Sequence, residues 1–297
     1  MREQWTQEEF KNPPAEFRGA PFWAWNTKLN IEQLKEQIGY FKEMGMGGYH
    51  IHCRVGLDTP YLGEEFLSYV SECVEEGKRQ GLYTYLYDED RWPSGTAGGI
   101  VTKEERFRSR HLLFIPKKIA PEENKHRKLL EVYEVELENG HLKTYKRVSK
   151  AIEQNLNSTK KYWCLYLEMA EPTPWHNNQT YVDTLNKEAV DRFIQVTHES
   201  YNEKVGAKFG KWIPSIFTDE PQFSRKETLN FAEEERPLVL PYTDGFDDFY
   251  KDRFTEDFRD TFPEIVWDLP GGKVSAARYQ YHEGISELFT ESFADTV

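Results

Sequence analysis

The chain has 297 residues, enough for one large domain or two ordinary ones. Hydrophobic residues make up 38% and aromatics 15%, which excludes wholesale disorder and provides for a packed core. A formal net charge of -13 argues against a nucleic-acid partner, because phosphate contact needs clustered Lys and Arg.

Residues 1–20 read as an irregular arm, with Pro13-Pro14 blocking regular structure. The first ten residues are polar and acidic and carry no signal peptide, and no apolar run approaches the roughly 20 residues of a membrane helix. A cytoplasmic location without a membrane partner is therefore expected. Cys53, Cys73 and Cys164 are widely spaced and form neither a metal pattern nor a disulfide framework, which fits a reducing compartment.

Pro21-Phe22-Trp23-Ala24-Trp25-Asn26 is a compact aromatic strand ending in an amide. Asn30 is placed to cap a helix carrying Ile31, Leu34, Ile38 and Phe41, and Gly45 and Gly47-Gly48 stop it. Tyr49–Val55 is the second strand, and its period of two puts His50, His52 and Arg54 on one face. That face is either a solvated surface or a convergence of polar groups inside a barrel. The His-x-His spacing also suits a metal, but no third ligand is placed by sequence.

Residues 63–80 form a second helix closed by Gly81, and Tyr83–Asp90 is a third strand ending in acids. The glycine-rich stretch Arg91–Gly99 follows. It lacks the ending of a phosphate loop and sits behind three carboxylates, so it is read as a place where a ligand approaches backbone. Strand–helix alternation to this point predicts a parallel sheet.

The pattern then changes. Leu112–Ile115, Leu130–Leu137, Leu142–Val148 and Tyr162–Glu168 are strand-like, with a hairpin signal at Asn139-Gly140. They predict an antiparallel β insertion after strand three. Helical spacing resumes over 187–205 and leads into Ser215-Ile216-Phe217-Thr218-Asp219-Glu220-Pro221, read as a buried strand ending in two acids. Pro221 biases Glu220 toward extended backbone. Residues 222–270 hold turn signals at 241–245 and a short helix around Phe246–Phe254, and 272–297 read as a helix.

The expected fold is a TIM-type (β/α) barrel in its first half, about four βα units, against the eight of a closed barrel. The alternative is an open sheet with an insertion. The expected divisions are 1–106 for the first βα units, 107–170 for the β-rich insertion and 171–297 for the continuation, ending in mid-domain. An open half barrel also predicts self-association through its free edge.

Pro21–Asn26, Gly47–Leu57, Tyr87–Gly95 and Phe217–Pro221, in this order and each at a strand end, resemble the catalytic domain of the bacterial α-L-rhamnosidases of glycoside hydrolase family 106. The resemblance implies a TIM-type barrel, an inverting glycosidase and a calcium ion. It implies that Glu220 matches the general acid, with the second carboxylate beyond residue 297. The runner-up is a truncated or non-catalytic carbohydrate-binding protein that keeps half of the site.

An inverting glycosidase needs one carboxylic acid to protonate the leaving oxygen and one carboxylate to activate water. Glu220 and Asp219 are the catalytic candidates. Trp25, Asn26, His50, His52, Arg54, Asp88, Asp90 and Trp92 are the candidates for binding a carbohydrate. Trp92 is the preferred stacking face, because a loop Trp is harder to explain as core. Asp88, Glu89 and Asp90 are the densest oxygen cluster. They either ligate the implied cation, or serve locally, Asp90 pairing with Arg91 and Asp88 capping the loop.

Overall fold

The computed structural model describes residues 6–150 and 160–297. The chain runs α1 (Gln7–Lys11), β1 (Phe22–Trp25), α2 (Ile31–Glu43), β2 (Gly48–Cys53), α3 (Glu64–Gln80) and β3 (Tyr83–Tyr87). Four strands follow, β4 (Arg110–Pro116), β5 (Arg127–Glu138), β6 (His141–Val148) and β7 (Lys161–Met169). Then come α4 (Lys187–Val196), α5 (His198–Val205), β8 (Ile216–Phe217) and β9 (Leu238–Tyr242). The last helices are α6 (Phe246–Phe254), α7 (Pro263–Val266) and α8 (Ala276–Phe289). They form a mixed α/β structure in two compact units, 1–101 with 192–221 and 102–191 with 222–297. Among the described residues no helix is long and apolar enough to cross a membrane.

The first unit is built on a parallel sheet in the order β1-β2-β3-β8. Local chemistry starts and stops its helices where the sequence indicates. Asn30 accepts the N–H of Gln33 at the head of α2, and Gly81 ends α3 in the left-handed conformation. Alternation along the strands sorts the side chains. Trp23, Trp25, Tyr49, Ile51, Cys53 and Leu86 are buried in one core with Leu34, Ile38, Phe66 and Val70 of the helices. Phe22, His50, His52, Tyr85, Tyr87 and Phe217 make ring contacts with one another on the other face. The register sets this row: Phe22 lies beside His50, His50 beside Tyr85, and Tyr87 beside Phe217. No closed barrel forms among the described residues, where the sheet has four strands.

The second unit is an antiparallel sheet in the order β6-β5-β7-β4-β9. Its core gathers Phe114, Tyr133, Trp163 and Leu240 from the sheet with Phe246, Phe262, Trp267 and Tyr281. The Asn139-Gly140 turn has both residues at positive φ, 52° and 77°, as a tight hairpin requires.

Three local expectations are corrected. The helical reading of 187–205 is not one of them: α4 and α5 meet at Thr197, which keeps right-handed helical backbone while its hydroxyl bonds the Phe193 carbonyl at 2.8 Å. The stretch 215–221 is not a buried strand. Only Ile216 and Phe217 pair, with Leu86 and Tyr87, and both are half-buried. Residues 238–242 are a strand although Pro241 lies within it, which the sheet edge tolerates because one side needs no N–H donor. Glu220 does not take extended backbone before Pro221; its φ is +41°.

Candidate functional site

The acid-tipped ends of β3 and β8 meet because the two strands are parallel neighbours. The Asp88 carboxylate is fully buried between them. Its Oδ1 accepts the Ser94 hydroxyl at 2.6 Å and its Oδ2 accepts the Thr218 hydroxyl at 2.5 Å, with His198 Nε2 3.3 Å away. Tyr201 of α5 anchors the same tip by donating its hydroxyl to the Tyr87 carbonyl at 2.9 Å.

Glu89, also fully buried, organises the glycine-rich loop. Its carboxylate accepts the backbone N–H groups of Asp90, Gly95, Thr96, Ala97 and Gly98 and the Thr96 hydroxyl, at 2.5–3.0 Å. Burial pushes this carboxyl up to about 7, while the ring of N–H donors pulls the other way. Glu89, rather than Asp88, is the group that caps the loop. Asp90 is buried and pairs with Arg91 at 2.9 Å.

Glu220 follows β8 and is exposed. The indole N–H of Trp92 donates to its Oε2 at 3.0 Å. Asp219 is half-buried, and its carboxyl is raised by burial and by the Glu220 charge, against the pull of Arg54. The Tyr87 hydroxyl is buried, has no partner of good hydrogen-bond geometry among the described residues, and lies near enough to Asp219 to oppose that rise.

His52 is buried and stacks on Tyr87, with ring centroids 4.0 Å apart, and His50 stacks on Tyr85 at 4.5 Å. Burial, then Arg54, pushes His52 down to about 4; burial lowers His50 as well. Both rings are neutral near pH 7. Arg54 and Asn26 are exposed at the ends of β2 and β1.

The candidates therefore divide. Asp219, Glu220, Trp92 and Asp88 come together at the β3 and β8 tips, and Arg54 is close enough to act on both Asp219 and His52. His50 and His52 join the aromatic face through Phe22 and Phe217. Trp25 does not join them. It is buried on the helix side of the sheet, edge-on to Trp23 and Phe66, and that placement corrects the expectation that it stacks on a ligand. Asp88 and Asp90 have their oxygens engaged inside the protein, which departs from a direct binding role. Ser94, Thr218, His198, Tyr85, Tyr87 and Phe217 belong to the site as well, and no motif in the sequence marks them as site residues. The tyrosine alternation in Tyr83-Thr84-Tyr85-Leu86-Tyr87 is the one signal that pointed to an aromatic face.

Calcium takes six to eight oxygen ligands. The Asp88–Asp90 run does not fit it, because its carboxylates are occupied by N–H groups, hydroxyls and Arg91. Among the described residues no group of three or more His, Cys, Asp or Glu side chains is arranged to hold a metal.

No family model matches the chain, and no curated protein matches it. Among solved structures it is similar to a rhamnosidase from Novosphingobium sp. PP1Y, with a TM-score of 0.54 and 11% sequence identity. The match covers 97% of this chain and 45% of that one, so the chain spans less than half the length of that protein. The likeness is one of fold.

Proposed function

We infer that this chain carries the first half of an α-L-rhamnosidase-like active site on the first half of a TIM-type barrel. The reaction is hydrolysis of α-L-rhamnosides or related glycans with inversion. The observation that carries the reading is the Trp92–Glu220 contact at the carboxyl ends of adjacent parallel strands, with Asp219 beside it. The fold likeness to a rhamnosidase supports it.

In this reading Glu220 is the general acid. Trp92 holds Oε2, so Oε1 carries the proton to the leaving oxygen. The part-exposed rings of His50, Tyr85 and Phe217, with exposed Phe22, give a ring-lined face suited to a sugar, while His52 and Tyr87 are buried and support it. The partner is a carbohydrate, and the free edge of the four-stranded sheet is where copies of the chain would associate. In inverting enzymes the water-activating carboxylate stands about 6.5–9.5 Å from the acid.

The exposure of Glu220 favours a second reading, carbohydrate binding without turnover, since a general acid near neutral pH gains from burial. One experiment separates them. Turnover of an aryl α-L-rhamnoside by the full-length protein, lost on Glu220→Gln with sugar affinity retained, supports the acid. Binding without turnover in both forms supports the second reading and sinks the first.

A further inference from the structure

Glu220 is a non-glycine residue at φ +41° immediately before a proline. Left-handed backbone of this kind is strained and persists only where the surroundings impose it. The surroundings here are specific. The Ser94 N–H donates to the Asp219 carbonyl at 2.9 Å, and the Asp219 N–H donates back to Ser94 Oγ at 2.9 Å. The Ser94 hydroxyl passes its own hydrogen to Asp88 Oδ1 at 2.6 Å, and Asp88 Oδ2 holds the Thr218 hydroxyl at 2.5 Å. Asp88 thus grips the residue two before Glu220 directly, and the residue just before it through Ser94. The loop that brings Ser94 also brings Trp92, whose indole holds the Glu220 carboxylate.

We propose that Ser94 and Asp88 are positioning residues that clasp the β8 tip and set the aim of Glu220. Both are fully buried, so neither touches a ligand arriving from solvent. The clasp needs a hydroxyl that donates and accepts at once. Serine at 94 does both; alanine does neither. The consequence for turnover rests on Glu220 being the acid. The geometry of the clasp does not.

The test therefore has an arm that needs no activity. The Trp92 indole ¹H–¹⁵N signal, assigned by its disappearance in Trp92→Phe, reports the contact with Glu220. Glu220→Gln gives the position of the signal when the carboxyl partner is gone. Ser94→Ala is expected to move the Trp92 signal toward that position while the indole signals of the other tryptophans stay in place. Asp88→Asn, nearly isosteric, is expected to move it in the same direction and serves if Ser94→Ala fails to fold. An unmoved Trp92 signal in the folded variants overturns the clasp. In the second arm, with an aryl α-L-rhamnoside, Ser94→Ala in the full-length protein is expected to lower kcat about 100-fold with KM within about twofold, as a misaimed group does. A raised KM with kcat unchanged overturns the positioning role. A moved Trp92 signal with no turnover in the wild type upholds the clasp and overturns the acid assignment.

Discussion

His52 lies flat against Tyr87, with ring centroids 4.0 Å apart and planes 12° from parallel. Burial and Arg54 hold its folded-state pKa at about 4, well under the roughly 6.5 of an unfolded chain. Between those values the unfolded chain binds the extra proton, so the contribution of His52 to stability is full above about pH 6.5 and is lost as pH drops toward 4. The thermal midpoint is expected to fall less steeply between pH 6.5 and 4.5 in His52→Phe, which keeps the stack and removes the titration. His282, also held at about 4 by burial and nearby cations, titrates in both proteins and leaves part of the slope. Equal slopes in the two proteins would remove His52 from the account.

Glu89 is the group on which the glycine-rich loop depends. Glu89→Gln turns an amide NH₂ toward N–H donors that now meet an oxygen, leaving buried donors unpaired on one side. Each unsatisfied buried group costs about 1–3 kcal/mol, so a loss above about 3 kcal/mol is expected in denaturant unfolding. Protease cleavage within 91–99 is expected to appear at concentrations that spare the wild type.

Trp25 and Trp92 sit close in the reading of the sequence and apart in the molecule. Trp25→Ala empties a buried core position and is expected to cost about 3–5 kcal/mol. Trp92→Ala is expected to change stability by less than about 1 kcal/mol. Sugar affinity should respond the other way, falling with Trp92→Ala and holding with Trp25→Phe. Calorimetric titration beside thermal melting checks both halves.

Gly48 opens β2 beside Tyr83 of β3. A Cβ there would sit 2.5 Å from the Tyr83 carbonyl oxygen, a backbone atom that cannot swing aside. Gly48→Ala is therefore expected to destabilise the parallel sheet by about 1–3 kcal/mol, as overpacking does. An unchanged denaturation midpoint would show that β2 and β3 separate more easily than their register implies.

Much of this was legible in the residues. Apolar runs ending in polar groups announced β1, β2 and β3 and their common direction, and Asn30 and Asn139-Gly140 announced a helix start and a hairpin. Strand alternation could not say which face met the helices, because both faces of β1 carry aromatic rings; hence Trp25 was placed on the ligand side. Pro241 made β9 look like a turn, since only the sheet order reveals that it is an edge. The backbone of Glu220 was least legible. Its local signal, a following proline, points to extended structure, and the groups that override it stand about 125 residues earlier, at Ser94.

That distance also orders events in time. The contiguous run from β1 to β3 closes by local crossovers, whereas β8 can dock on β3 only after the chain has passed through 102–191. Long-range pairings form late because loop-closure entropy is lost before any contact is gained. During refolding, amide protection is expected in Ile51 and Tyr85 ahead of Phe217, and the Trp92–Glu220 contact should arrive with the last phase. The chain also passes between the two units three times, near 101, 191 and 221, so a single cut cannot release either one whole. A ligand that needs Glu220 thus reports on completed folding of the first unit, and binding competence can serve as the clock for its slowest step.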